Sequence, residues 1–364
     1  MLVVNAGSSS LKLRVVDAHE AVIGECDLPA DAGRVPEARM REALAPLPAA
    51  DAVGHRVVHG GGRSAPARID PDLMRELASL AELAPLHQPA ALAIADAVGR
   101  LLPGTPAVAC FDTAFHAGLP AAAATYALPR AWRTRWPLRR HGFHGLSHAH
   151  VSRRAAELLG RPVEDLRVVS CHLGAGASLC AIDGGRSVDT TMGLTPMEGL
   201  VMATRPGDVD PGLLLWLLRD GRLQAEALED GLVHGSGLLG LCGTADMRTV
   251  LERAGAGDAD ARLALEVYIR RLRAGIAAMA AALDGLDALV FTGGAGEHAA
   301  GLRERACAGL GFLGVGLDDR RNAAATADAE IGADGAPVRA LVVAAREDLE
   351  ISRGVRATLG AAGR

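Results

Sequence analysis

A chain of 364 residues with 49% hydrophobic and 22% charged side chains can bury a large core, enough for two, so intrinsic disorder is excluded as its main description. Aromatic residues make up only 3% while glycines number 44, so the apolar content is chiefly Ala, Leu and Val and the pieces of the core approach closely. A formal net charge of -5 lacks the electrostatic footprint of a nucleic-acid binder and disfavours an acidic membrane surface, so no nucleic acid and no membrane are expected as partners.

Met1 to Val4, a Gly/Ser turn and the alternating Leu11 to Val16 predict two strands joined by the loop NAGSSS. Helices are expected over 34–47, 71–83 and 90–102, the last stopped by Pro103 and Gly104. Residues 107–111 read as an apolar strand running into Asp112. The opening pattern then returns: a strand over 167–171, the loop HLGAGAS at 172–178, a strand over 179–182 and the turn Asp183, Gly184, Gly185. Two related hairpins suggest two domains of one design. A last apolar strand over 288–292 runs into GGAGE at 293–297, with a helix starting behind it. Cys26, Cys110, Cys171, Cys180, Cys242 and Cys307 are widely spaced, without a C-x-x-C pair, and read as small buried hydrophobes in a reducing compartment. No charged segment followed by an apolar run opens the sequence, so a cytoplasmic protein is expected.

A single Gly/Ser loop is most simply a hairpin turn. Three such loops, each straight after an apolar strand, also suit phosphate, because glycine lets the backbone approach an anion and successive N–H groups form a concave nest. Nine of the 12 histidines lie between His55 and His172, but HGFHGLSHAH at 141–150 is broken by glycines and has no metal-ligand spacing. His141, His148 and His150 therefore read as satisfied loop histidines, and His144, between glycines, as an exposed turn residue able to project into a cleft. Arg56 in GHRVVHGGG and Arg205 in MATRPGDVDP are expected in loops beside the phosphate-type motifs. There they are either structural ion pairs or ligands of a small anion, which a guanidinium matches bidentately. Asp112, at a strand end, and Glu347, after the apolar run 338–345, are either helix-capping acids or groups that hold Mg2+ through water. Of the 38 basic residues all but Lys12 are arginine, so no other lysine can replace the one in the first loop.

In this order NAGSSSLK, GHRVVHGG, the Asp-Thr-Ala-Phe-His stretch, GFHGLSH, HLGAGAS, MATRPGDVDPG and FTGGAGE resemble the acetate kinase family of the sugar kinase, Hsp70 and actin superfamily, from Asn5 to about Arg353. The resemblance implies an α/β, two-domain ribonuclease H-like fold with mixed five-stranded sheets flanked by helices and an active site in the cleft between domains. It implies an N-terminal domain of 1–114 plus 348–364 and a C-terminal domain of 115–347. It also implies a homodimer, Mg2+ or Mn2+, ATP/ADP as co-substrate, and reversible phosphoryl transfer to acetate or a similar short-chain carboxylate.

Carried over residue by residue, Asp112, His144, Arg205 and Arg56 match the catalytic group. Arg56 and His87, with Val58, Leu86, Phe143 and Pro196, match the pocket for the acid. Ser10 and Lys12 match the first phosphate loop, and His172, Leu173, Gly174, Ala175 and Gly176 the second. Asp246, Met247 and Arg248, with Gly293, Gly294, Ala295, Gly296 and His298, match the nucleotide side. Asn5 and Glu347 match the metal side. The chain departs from the family at Ala175, where the loop usually has asparagine, at His298, at Ala345 and Arg346, and in a shorter segment between Lys12 and Gly54. The same acyl phosphate chemistry with propionate, or with another donor such as pyrophosphate, is the alternative. A nucleotide-binding scaffold of the Hsp70 or actin type is the alternative of another class; it would need peptide-binding or filament-forming additions.

Overall fold

The opening hairpin forms where the alternation of apolar residues puts it. In the computed structural model, which describes residues 1–7, 10–31, 33–85 and 87–362, β1 (Leu2–Ala6) and β2 (Ser10–Val16) pair antiparallel with Asn5 opposite Lys12. The loop closes where the Gly7 N–H donates to the Ser10 carbonyl at 2.8 Å; Ser8 and Ser9 lie outside the described residues. A third strand, β3 (Val22–Pro29), continues the meander unannounced by the sequence, because Leu28 is the only one of its side chains that is buried. Asp17 builds the turn that feeds it, its Oδ1 accepting from the backbone N–H groups of His19 and Ala21.

Arg56 is not in a loop. It lies on β4 (Val53–Val57), which runs parallel to β1 and, on its other side, parallel to β6 (Ala107–Phe111). His55 and Arg56 interrupt the apolar run, which hides the strand in the sequence. The two-residue β5 (Ala67–Arg68) adds an antiparallel edge, giving the order β3-β2-β1-β4-β6-β5. The three expected helices are Glu37–Leu44, Pro71–Ser79, which breaks into a 3-10 turn at Ala81–Leu83, and Gln88–Leu101. Asp70 caps the second, accepting from Leu73 N–H at 2.8 Å, with Pro71 in its first turn. Glu347–Ala362 covers β4 and β6 with Ile351 and Val355 fully buried.

The second sheet repeats the first. It contains β7 (Arg167–Leu173), β8 (Ala177–Asp183), β9 (Arg186–Thr190), β10 (Ala288–Thr292), β11 (Ala329–Glu330) and β12 (Arg339–Val342) in the order β11-β12-β10-β7-β8-β9. Read from the other edge this is again a three-stranded meander, two parallel strands and a two-residue antiparallel edge. Each sheet thus has the five expected strands plus that edge. The helix Ala259–Ala282, capped by Asp258, packs on β8 through residues spaced three and four apart, among them Leu265, Tyr268, Leu272 and Ile276. His148 and His150 are not loop residues; they are buried on the helix Gly145–Leu159. The chain divides into one compact unit of Met1–Gly118, Phe143–His150 and Arg346–Arg364 and another of Leu119–Gly142 and Val151–Ala345. Among the described residues no helix is long and apolar enough to cross a membrane, and all six cysteines are free, five of them buried.

Arg303, 1% exposed, is the largest fully buried side chain. Its Nε donates to Asn322 Oδ1 at 2.8 Å, Nη1 to the carbonyls of Gly296 and Glu297 at 2.9 and 2.7 Å, and Nη2 to the Asn322 carbonyl at 2.8 Å. Burial pushes its pKa down, and the C-terminal carbonyls of the short helix Gly293–His298 supply the partial negative charge that holds it. Arg303→Met is expected to cost about 3 kcal/mol, since several buried acceptors lose their donors at about 1 kcal/mol or more each. Urea unfolding reads this directly; an unchanged midpoint would mean that the acceptors find water.

Candidate active site

Three parallel strands deliver the first group of residues to one end of a sheet. Asn5 stands near the C-terminal end of β1, Arg56 near that of β4, and Asp112 directly after β6, the edge at which ligands of open α/β sheets collect. Arg56 grips Asp112 with Nε 3.1 and 3.2 Å from its two carboxylate oxygens and Nη2 2.6 Å from Oδ2. Its Nη1 reaches Asn5 Oδ1 at 3.4 Å, and Nε lies 3.7 Å from Glu347 Oε2. Asn5 Nδ2 donates to Glu347 Oε2 at 2.7 Å, closing a ring of Arg56, Asn5 and Glu347 on which Asp112 is held by the arginine. The Asp112 carboxylate is therefore committed to an arginine and is not a helix cap.

This ring holds two carboxylates and one guanidinium, a formal charge of -1. Burial pushes the Asp112 carboxyl up to about 6 against the pull of Arg56, and the Glu347 carboxylate pushes it the same way. Burial also works against the charge of Arg56, but Asp112 and Glu347 outweigh it and raise its pKa. The carboxylate charge and the oxygen donors of Asn5 and Glu347 fit a hard divalent cation held partly through water and phosphate. Among the described residues no three His, Cys, Asp or Glu side chains converge as a self-contained metal site. Arg346, a departure from the family pattern, pairs with Asp348, which it holds with Nε at 2.9 Å and Nη2 at 2.8 Å.

The residues expected to receive the acid lie partly in the same unit. Val58 and Phe143 are buried, and the Phe143 ring meets His59 edge-on at 5.7 Å. Gln88, which the sequence did not single out, fixes the backbone beside Val58: its Oε1 accepts from His59 N–H at 3.1 Å and its Nε2 donates to the His59 carbonyl at 2.9 Å. His87 is half-buried at the N-cap of Gln88–Leu101, and Leu86 lies outside the described residues. His144 is half-buried, not exposed, and its φ of 56° puts a non-glycine residue in left-handed backbone, a conformation that marks functional turns. Ser10 is half-buried, while Lys12 is exposed and shares the sheet face of Asn5, its cross-strand partner.

In the other unit Arg205 is 8% exposed, and among the described residues its side chain makes one hydrogen bond, from Nη1 to the Pro196 carbonyl. No described carboxylate comes within 4.0 Å of it. Burial pushes its pKa down to about 10. A desolvated guanidinium with no carboxylate partner among the described residues has the chemistry to bind an anion.

Ala203, two positions before Arg205 and without a motif role in the sequence, helps line a cavity of about 470 Å³ together with Leu238, Leu251, Glu252 and Tyr268. The same cavity is lined by Gly174, Ala175, Asp246, Met247, Arg248, Gly294, Ala295 and His298, so the sequence motifs of the nucleotide side converge on one space. Its volume suits a small-molecule ligand. His172 and Leu173 end β7, and the hairpin to β8 closes where Gly174 N–H donates to the Gly176 carbonyl at 3.0 Å. Asp246 caps Met247–Gly255 by accepting from Arg248 N–H at 3.1 Å. The helix expected behind GGAGE begins at Gly293 itself, where φ is +77° and a Cβ would lie 3.0 Å from the backbone of Leu173. Glu297 Oε1 accepts from the N–H groups of Gly293 and Ala345, both at 3.0 Å, so the first donor of that helix is already used.

The acetokinase family profile matches residues 35–353. An acetate kinase of Synechococcus sp. (strain JA-2-3B'a(2-13)) is 53% identical over 302 residues, 82% of this chain and 74% of that protein. One of Leifsonia xyli subsp. xyli is 48% identical over 393 positions, covering 97% of each chain; the alignment exceeds 364 positions because the relative carries insertions. Among solved structures, an acetate kinase of Porphyromonas gingivalis superposes with a TM-score of 0.88 at 34% identity, covering 98% of this chain and 99% of that one. A propionate kinase of Francisella tularensis gives a TM-score of 0.89 at 33% identity over 97% and 98%. With the profile matched over residues 35–353 and a relative matched from end to end at 48% identity, the chain belongs to the acetokinase family.

Proposed function

We propose that the protein transfers the terminal phosphoryl group of ATP, reversibly, to acetate or a similar short-chain carboxylate, giving an acyl phosphate and ADP. The observation that carries this reading is Arg205, a guanidinium buried with no carboxylate partner among the described residues. An ionised carboxylate is already a nucleophile, so the reaction needs positioning and charge neutralisation more than a base. The acid's oxygen attacks phosphorus as the bond to the bridging oxygen of ADP breaks. Arg56 draws the carboxylate, while Arg205 and His144 donate to the phosphoryl oxygens in flight, where stabilisation counts most. Asp112 has both oxygens engaged by Arg56 and acts as an organiser of that arginine. Asn5 and Glu347 are the residues that would hold Mg2+ or Mn2+, which supplies charge neutralisation on the ATP phosphates. The alkyl group is assigned to Val58, Leu86, Phe143 and Pro196, the residues that match the family's acyl pocket in sequence. The cavity lined by Asp246, Arg248 and His298 takes the nucleoside.

The test incubates protein, Mg-ATP and acetate, propionate or butyrate in turn and traps acyl phosphate with hydroxylamine. Hydroxamate from acetate or propionate supports the reading; none from any acid, with ATP or pyrophosphate as donor, overturns it. Ala175 lines the nucleotide cavity with a methyl group where a side-chain amide would offer a donor. Ala175→Asn is expected to lower KM for ATP about tenfold, the worth of one hydrogen bond to a charged group, and to leave KM for acetate unchanged. Equal KM values for ATP in the two proteins would remove that loop from the nucleotide's contacts.

The protein is proposed to work as a cytoplasmic homodimer. The helix Pro211–Leu218 (PGLLLWLL) buries none of its residues in the monomer, and Leu213, Leu215 and Trp216 are 46%, 58% and 52% exposed. So apolar a helix requires a partner surface. Sedimentation is expected to give a dimer for the natural protein and a monomer for Leu215→Glu combined with Trp216→Glu; a natural monomer would dismiss the idea.

A further inference from the structure

Arg205 depends on a single carbonyl for its orientation, so whatever fixes the carbonyl of Pro196 fixes the guanidinium. The segment between β9 and Pro211 has no regular secondary structure to do this. A second group of side chains in the same unit does it instead. Glu198 accepts from the Tyr126 hydroxyl through Oε2 and from Arg140 Nη2 through Oε1, both at 2.5 Å. The Tyr126 hydroxyl oxygen in turn accepts from Leu194 N–H at 2.9 Å. One phenol therefore ties residues 194 and 198 together, and Pro196 is the midpoint of the turn between them.

Arg140 anchors the start of the same segment, donating through Nη1 to the carbonyls of Thr191 and Met192 at 3.0 and 3.1 Å, and its guanidinium lies 5.5 Å from the centre of the Tyr126 ring. Gly193 is required here because a Cβ would collide with both the Glu198 carboxylate and the Tyr126 hydroxyl. Charge is arranged to the same end. Glu198 is engaged by Arg140 and Tyr126, so its carboxylate does not neutralise Arg205, which stays available to an anion.

We propose that Glu198, locked by Tyr126 and Arg140, is a positioning residue that holds the Leu194–Glu198 turn so that the Pro196 carbonyl presents the Arg205 guanidinium to the phosphoryl group in transfer. The inference rests on the catalytic role proposed for Arg205. Loss of the brace lets the guanidinium wander by a fraction of its own width. Misplacement of about 1 Å costs on the order of 10²-fold in rate.

The experiment is a double-mutant cycle on kcat and KM, with circular dichroism and Tm as folding controls. Glu198→Ala in the natural background is expected to lower kcat about 10²-fold with KM for ATP nearly unchanged. Glu198→Gln, whose amide oxygen still accepts from the Tyr126 hydroxyl, is expected to recover part of that loss. In an Arg205→Lys background, which is expected to keep enough turnover to measure because the cation is retained, Glu198→Ala is expected to cost little more, because a group acting through Arg205 has nothing left to act on. Equal fold-losses in both backgrounds would overturn the positioning role and leave the role of Arg205 intact. Normal turnover by Arg205→Lys and Arg205→Ala would instead refute the catalytic reading beneath it. Should Glu198→Ala fail to fold, Tyr126→Phe serves in the same cycle, since it removes the hydroxyl that joins Leu194 to Glu198.

Discussion

Arg205→Ala is expected to abolish nearly all acyl phosphate formation, by about 10³- to 10⁵-fold in kcat, the range over which an arginine acts on a phosphoryl group in transfer. Its Tm is expected to be equal to that of the natural protein or higher. The folded chain holds this guanidinium at a pKa of about 10, well below the ordinary arginine value, because burial opposes its charge. That difference corresponds to about 3 kcal/mol of unfavourable burial at neutral pH. Because the folded-state pKa is depressed, stability recovers only as pH rises above about 10 towards the ordinary arginine value, outside any working range. Among the described residues, the bond lost on truncation is the one to the Pro196 carbonyl. The site is thus paid for in stability and restored by its ligand: phosphate or sulfate should raise Tm in the natural protein and have much less effect in Arg205→Ala. Normal turnover by the variant would remove Arg205 from the reaction, and a large fall in Tm would show that its burial is structural.

Arg56→Ala is expected to lose activity just as severely and to lose stability as well, by about 3–5 kcal/mol, because it strands the buried Asp112 carboxylate beside Glu347. Urea unfolding and turnover on one preparation distinguish the two arginines. The pH dependence has its origin in the same ring. Asp112 in the folded protein titrates near 6 against an ordinary 3.8, so its proton is held more tightly in the folded chain than in the unfolded one. The stability this contributes is present below about pH 4 and is lost as pH rises through about 6. Activity should move the opposite way, because Asp112 must be ionised to hold Arg56. The acid limb of kcat/KM is expected near pH 6, an apparent value belonging to the coupled ring, and Asp112→Asn should flatten it at a low rate. A limb retained unchanged in Asp112→Asn would assign it to another group.

Much of this arrangement can be read in the sequence, and the failures have physical causes. The strands 107–111 and 288–292 are legible with their observed boundaries, since both are continuous apolar runs in the middle of a sheet. β3 escapes because Leu28 is its one buried side chain and its alternation with Glu25 and Asp27 runs over too few apolar residues, and β4 because His55 and Arg56 interrupt it. The motifs of the nucleotide side name eight residues that line one cavity, yet Tyr268, a core position of a long helix, and the half-buried Leu251 in its wall are invisible, since their helices carry no signature. Glu297 carries a motif letter and proves to be a cap. The isolation of Arg205 cannot be read at all, because the absence of a carboxylate nearby is a property of the fold and not of any neighbour in sequence. Glu198 is hidden for the converse reason: its partners, Tyr126 and Arg140, stand 72 and 58 residues away.

The covering of β4 and β6 by Glu347–Ala362 has a consequence for how the chain is made. Asn5 meets Glu347 across 342 positions, and Ile351 and Val355 close the core beneath Val3 and Cys110. On the ribosome the first sheet must therefore wait, its β4 and β6 surface uncovered, until the helix beginning at Glu347 has emerged. The residues of the second sheet and its long helix are complete earlier and can condense first. Such long-range closure is expected to make the first sheet fold more slowly than the second and to leave its apolar surface exposed for longer during synthesis.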